Sequence, residues 1–233
     1  MAVGELAISD HRSSQPTLTE LLKIASQAHV ARLMTGKAGI LHLHLGDGER
    51  GLSLVREAIA TAEIPARTYN PTHINRLKRL FEEACDLTQY GCWVDVTAFE
   101  TGDVGFEPAD ALMRYMQQDL PQGKLTISSD GGGCLPCFDS HGHLSKMDFA
   151  SSTSMTEVFY ALLDDGQAME KFLPFFTSNV ATLMQFHHKG RLALGLDADL
   201  LVLDDNNRIN HVMANGLWHV FDKQIIKKGS FEN

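Results

Sequence analysis

The chain has 233 residues, 44% hydrophobic and 21% charged, a composition that suits one large or two small domains with ample apolar material for a core. Its formal net charge of −9 works against binding a phosphate backbone, which rewards clustered Lys and Arg, so nucleic acid is excluded as a partner. No apolar run approaches the ~20 residues needed to cross a bilayer, and the first residues lack a basic leader, so a cytoplasmic address with no membrane partner is expected.

Strand and helix signals alternate along the chain in the manner of parallel βαβ units. A first strand is expected at residues 3–9, after which Thr17 and Glu20 form a capping box opening a helix with Leu18, Leu21, Leu22 and Ile24 on its buried face. A second strand at 39–45 leads to a helix at 50–62. A third at 67–70 runs through Pro71, Thr72 and His73 into a helix carrying Leu77, Leu80, Phe81 and Ala84. The fourth strand, 92–98, precedes a helix entered at Pro108, a residue suited to a first helical turn. The fifth, 125–130, reads as a buried strand that closes on Asp130 and gives way to Gly131, Gly132 and Gly133.

Beyond Gly133 a long loop of Gly, Cys, Pro, Asp, Ser and His is expected. A helix at 156–163 follows, entered by a second capping box of Ser154 and Glu157, then helices at 168–175 and 180–187. From Gly190 the tail reads as all β: strands at 198–202, 209–213, 218–221 and 224–227, with Ala214, Asn215 and Gly216 as a hairpin signal. Four cysteines are too few for a disulfide framework in a chain this long. Cys134 and Cys137 spell a C-x-x-C, but in a glycine-rich loop rather than at a helix start, which weighs against redox chemistry. His141 and His143 sit too close together for a zinc finger and read as solvent-facing loop residues.

Chemistry in parallel α/β folds collects at the carboxyl ends of strands. Those ends hold Glu5 within the first strand, His44 on the second, His73 just after the third and Asp130 closing the fifth. Any one of them alone reads as structural, and His42 as a satisfied interior residue. Together, imidazoles and carboxylates on neighbouring strand ends can hold a divalent metal and leave a carboxylate to move protons.

The segments Ile8-Ser9-Asp10-His11-Arg12, His44-Leu45-Gly46-Asp47, Pro71-Thr72-His73-Ile74-Asn75-Arg76 and Ser128-Ser129-Asp130-Gly131-x-Gly133 resemble those of the β-aspartyl (isoaspartyl) dipeptidases of the amidohydrolase superfamily, as does the tail at 195–202. The resemblance implies an α/β fold: a partial (β/α)8 TIM barrel, equivalent to strands 4–8, over residues 1–190, with the C-terminal part of a small β domain at 191–233. It implies two Zn2+ ions per complete site and hydrolysis of β-aspartyl dipeptides by metal-bound hydroxide. His44 and His73 match the two histidine ligands of one zinc. Asp130 matches the aspartate that binds the other zinc and shuttles the proton. Arg12 and Arg76 match arginines that hold substrate carboxylate, while Asp10 and His11 read as structural. The partner is a small dipeptide, and the family's habit implies a homo-oligomer.

Three departures from the family pattern stand out. Glu5 occupies the place of a carboxylated lysine that bridges the zincs; a buried glutamate there without a partner would be costly, so a bridging role is expected. Cys134 replaces a serine near the substrate, and a thiol is the weaker hydrogen-bond donor. The family's first-strand His-x-His pair and first three barrel strands have no counterpart, so the chain reads as the C-terminal portion of a longer protein, a truncated product or one of two associating pieces. Another amidohydrolase reaction, such as deamidation or lactam opening, and a non-catalytic metal or partner binder stay open as alternatives.

Overall fold

A computed structural model describes residues 2–139, 141 and 143–229, the side chains of 135–138 excepted. Strands β1 (Ala2–Ile8), β2 (Ile40–Leu45) and β3 (Tyr69–Thr72) form one parallel sheet, and β4 (Val94–Thr97) and β5 (Leu125–Ser128) form a second. The Trp93 N–H donates to the Tyr69 carbonyl at 3.2 Å, carrying the backbone from β3 to β4. Helices α1 (Leu18–Thr35), α2 (Ser53–Thr61), α3 (Lys78–Gln89) and α4 (Pro108–Met116) fill the connections.

Period-two alternation divides the strands into two chemically distinct faces. Leu41, Leu43, Leu45, Tyr69, Val94, Val96 and Leu125 are all fully buried and join one core with Leu21, Ala25, Val55, Leu80, Phe81 and Leu112 of the helices. Burial of each such leucine contributes roughly 1.5–3 kcal/mol, which anchors the helix layer to the strands. The opposite face is polar. Register sets His42 beside Asn70, His44 beside Thr72, Asp95 beside Thr126 and Thr97 beside Ser128. A cavity of about 300 Å³ opens on this face, lined in part by His42, Asn70, Asp95 and Thr126.

Local signals act as expected at several points. Thr17 and Glu20 form the reciprocal capping box of α1, and Pro108 opens α4. Elsewhere the expectation needs correction. The loop expected after Gly133 is an antiparallel hairpin of β6 (Cys134–Phe138) and β7 (Leu144–Phe149), closed by paired hydrogen bonds of Gly132 and Gly133 with Ala150. Arg67 and Thr68, read as the start of the third strand, belong to a 3-10 turn, Ala66–Thr68. The second capping box does not form: Thr153 holds the N-cap without a side-chain bond to the backbone, and Ser154 is already helical.

Helices α5 (Ser154–Asp164), α6 (Met169–Phe176) and α7 (Ser178–Met184) precede the four-stranded antiparallel sheet β11-β10-β9-β8. Its strands are β8 (Leu200–Leu203), β9 (Ile209–Ala214), β10 (Leu217–Phe221) and β11 (Gln224–Ile225). Asn215 and Gly216 adopt the left-handed φ values of 49° and 76° that a tight hairpin turn needs. One terminal nitrogen of Arg208 donates to both carboxylate oxygens of Asp164, and the Ile209 N–H donates to the Tyr160 hydroxyl, tying this sheet to α5. Among the described residues, no helix is long and apolar enough to cross a membrane.

Candidate active site

The polar face carries three of the four expected ligands to one point. Opposite His42, β1 places two residues, Gly4 and Glu5, where regular pairing would place one. Such bulges re-aim a side chain. A Cβ on Gly4 would lie 2.8 Å from that of His42, so glycine permits the close approach of the two strands. Glu5 is not the costly case of a buried, partnerless strand glutamate: its side chain is 39% exposed and has two imidazole partners.

His73 arrives by a different route. It has a left-handed backbone, φ 62°, at the mouth of the 3-10 turn Ile74–Arg76. That conformation costs a non-glycine residue on the order of 1–3 kcal/mol, and here the surroundings hold it. Arg76 N–H donates to His73 O, and the buried Asn75 side chain clamps the turn to β4 by donating to Thr97 O and accepting from Thr97 N–H.

Glu5 Oε1 lies 3.4 Å from both His44 Nδ1 and His73 Nε2, and the two nitrogens are 3.0 Å apart. A tetrahedral ion with bonds of about 2.0–2.1 Å separates its ligand atoms by about 3.3 Å, so these three atoms outline one face of such a polyhedron. The donor set, two imidazoles and a carboxylate, is the kind zinc accepts. On its far side His44 Nε2 lies 3.3 Å from Asp10 Oδ2; with the ring proton on that nitrogen, Nδ1 turns its lone pair toward Glu5. The proximity of His44, then of His73, holds the Glu5 carboxyl far below the ordinary carboxylate range. Burial holds His73 below the ordinary imidazole range, favouring the neutral ring a metal requires.

Asp130 is not drawn into that group. Strand β5 stops at Ser128, and Asp130 follows in a left-handed conformation, φ 52°, accepting from Gly133 N–H. A Cβ on Gly133 would lie 2.7 Å from Asp130 Oδ1, so this glycine makes room for the carboxylate itself. From there the charge of Asp130 acts on both His73 and Arg76.

The two arginines are held differently. Arg12 forks onto Asp10, with Nε to Oδ1 at 3.1 Å and a terminal nitrogen to Oδ2 at 2.8 Å; this fork drives the Asp10 carboxyl far below its ordinary range and raises the Arg12 guanidinium above its own. Arg76 stacks on Phe99 at 5.3 Å, is half-buried, and its Nε has no hydrogen-bond partner. Burial lowers its pKa. It stands beside the histidines as a fork without an anion among the described residues.

Cys134 is exposed at the start of β6. The C-x-x-C lies within that strand rather than at a helix start, and the Cys137 side chain lies outside the described residues. His42 Nδ1 lies 2.8 Å from Asn70 Oδ1, a satisfied interior residue, and His141 and His143 are exposed. Sequence reasoning assigned Asp10 a purely structural part and passed over Asp95 and Thr97. The signal for the last two was alternation, which sets them on the face that carries His44.

No family model matches the chain. Among solved structures, a β-aspartyl dipeptidase from thermophilic keratin-degrading Fervidobacterium islandicum AW-1, in complex with β-Asp-Leu dipeptide, is similar at 36% identity and a TM-score of 0.91, over 99% of this chain and 59% of that one. A second structure of a β-aspartyl dipeptidase from the same source gives 34% identity and a TM-score of 0.86, again over 99% and 59%. The D-hydantoinase of Bacillus sp. AR9 shares the fold at 14% identity and a TM-score of 0.61, over 95% of this chain and 65% of that one. The chain thus resembles the β-aspartyl dipeptidases over nearly all of its own residues while spanning 59% of their length, and its parallel sheets are consistent with part of an amidohydrolase barrel.

Proposed function

We propose, on the premise of this likeness to the β-aspartyl dipeptidases, that the chain is the C-terminal portion of a zinc-dependent, cytoplasmic hydrolase of β-aspartyl dipeptides, built on a (β/α)8 barrel with a small β domain. The observation that carries the reading is the convergence of Glu5 Oε1, His44 Nδ1 and His73 Nε2 at tetrahedral spacing. These residues would hold one zinc, and Glu5 and Asp130 would serve a second. When bound, zinc polarises a carbonyl and lowers the pKa of water into the neutral range.

The chain's own groups do the rest. Arg76, an unpaired fork beside His73, binds a substrate carboxylate in two parallel hydrogen bonds. Arg12, oriented by Asp10, presents its exposed edge to the other end of the dipeptide. The Asp130 carboxylate accepts a proton from the attacking water as the new C–O bond forms, then returns it to the leaving nitrogen as the C–N bond breaks. Cys134, at the start of the hairpin beyond Asp130, would border the substrate. The missing His-x-His ligands would come from a segment outside this sequence, and the assembled enzyme would be a homo-oligomer.

The test is incubation of the chain, alone and in its complete protein context, with zinc and β-Asp-Leu, alongside an Asp130→Asn variant and a panel of cyclic amides. Release of aspartate and leucine by the parent and not by the variant supports the reading. Turnover of a cyclic amide alone would assign a different amidohydrolase reaction, and no turnover with zinc bound would assign a non-catalytic binder.

A further inference from the structure

The polar face holds a carboxylate that the site described above does not use. Asp95, on β4, is 4% exposed and accepts hydroxyl hydrogen bonds from three neighbours: Thr126 Oγ1 on Oδ1 at 2.6 Å, and Ser128 Oγ and Thr72 Oγ1 on Oδ2 at 2.6 and 2.7 Å. No cation accompanies it among the described residues. Thr72 Oγ1 is also 3.3 Å from Thr97 Oγ1, which in turn is 2.8 Å from His73 Nδ1. All three of Thr72, Thr97 and His73 are buried at 1% exposure or less.

A hydroxyl has one proton, and counting protons leaves this chain two senses. Thr72 donates its proton to the carboxylate, the stronger acceptor at the shorter distance, so toward Thr97 it can only accept. The Thr97 proton can go to Thr72 at 3.3 Å or to His73 Nδ1 at 2.8 Å. In the first case Thr97 accepts from His73, whose Nδ1 carries the hydrogen; in the second Nδ1 accepts and the Nε2–H faces Glu5. Only the first leaves the Nε2 lone pair, 3.4 Å from Glu5 Oε1 and 3.0 Å from His44 Nδ1, for a metal.

We propose that Asp95 is a positioning residue for His73: through Thr72 and Thr97 it selects the Nδ1–H tautomer and so readies Nε2 as a metal ligand. Asp10 does the same for His44 directly, so each histidine of the pair has its own buried carboxylate, one adjacent and one two hydroxyls away. The inference deepens the metal-centre reading and rests on it for its purpose, while the tautomer itself is a property of the metal-free chain.

The experiment uses nitrogen-15-labelled histidine in the metal-free chain, with the His73 ring assigned by its loss in His73→Gln, and a separate zinc titration against a chromophoric chelator. The parent should show His73 protonated at Nδ1. Thr72→Val, a near-isosteric change that leaves Thr97 free to turn its proton onto His73, should convert the ring to a mixture of tautomers and weaken zinc binding by about 10–100-fold. Thr97→Val should do the same, and Thr97→Ser should restore both readouts. Asp95→Leu tests the carboxylate itself; if it fails to fold, Thr72→Val breaks the same chain one link closer to the ring. An Nε2–H ring in the parent, or a tautomer indifferent to Thr72→Val, overturns the proposal. The expected tautomer with no zinc binding leaves it standing on the ring and refutes the metal-centre reading instead.

Discussion

Asp10 joins a candidate metal ligand to a candidate substrate-binding arginine, and Asp10→Asn isolates that connection. The carboxylate is 2% exposed and takes the Arg12 backbone N–H at 2.7 Å, its Nε at 3.1 Å, a terminal guanidinium nitrogen at 2.8 Å and the His44 ring at 3.3 Å. An asparagine keeps the shape but replaces one acceptor oxygen by a donor, so either the arginine fork or the histidine must face an N–H. Hydrogen bonds to charged groups contribute about 1.5–3 kcal/mol each. Arg12 is 41% exposed, so water recovers part of its loss, and we expect a destabilisation of about 2 kcal/mol at neutral pH. The pH dependence supplies a second check. Hydrogen bonds from Arg12 hold the folded-state Asp10 carboxyl far below its ordinary value. Its contribution is therefore complete above the unfolded-state pKa of about 3.9 and fades as pH falls below about 4 toward the folded value. Urea unfolding of parent and variant should show a constant gap from about pH 6 to 8 that narrows below about pH 4. A gap under about 0.5 kcal/mol at pH 7, or one that persists undiminished in acid, would refute this reasoning.

Other expectations follow from the same geometry. Gly46→Ala would set a Cβ 2.5 Å from Asp10 Cγ, so it should reproduce the instability of Asp10→Asn in the same urea assay. Leu43→Ala, at a fully buried position of the strand–helix core, should cost about 2–5 kcal/mol by urea unfolding without altering zinc affinity per folded molecule. Arg76→Lys keeps the charge but removes the fork, so KM for β-Asp-Leu in the complete protein should rise about 10-fold or more with little change in kcat. Glu5→Gln should weaken zinc binding in a chelator competition while leaving the helix content seen by circular dichroism unchanged.

Much of the architecture was legible from residue type and spacing. The alternation of Leu41, Leu43 and Leu45 with His42 and His44 states both the strand and its two faces, and Thr17 with Glu20 states where α1 begins. The hairpin of β6 and β7 was not legible, because its first strand is written in residues that read as loop. Pro136 lacks a donor and is tolerated there because the ribbon has only two strands. Nor did local sequence show that Glu5 is turned by a bulge, since the cause is its pairing with a strand more than thirty residues away. The gathering of Glu5, His44 and His73 could be anticipated from strand ends. The parts played by Asp10 and Asp95 could not, because each depends on hydrogen bonds that form only when separate strands are set side by side.

The central claim is that Glu5, His44 and His73 form a metal centre. A crystal of the chain grown with zinc, with diffraction measured on both sides of the zinc absorption edge, addresses it directly. The account predicts an anomalous peak about 2.0–2.2 Å from Glu5 Oε1, His44 Nδ1 and His73 Nε2 together. Zinc-saturated crystals with no peak at that point, or with the ion bound elsewhere while these three side chains keep their present contacts, would contradict it.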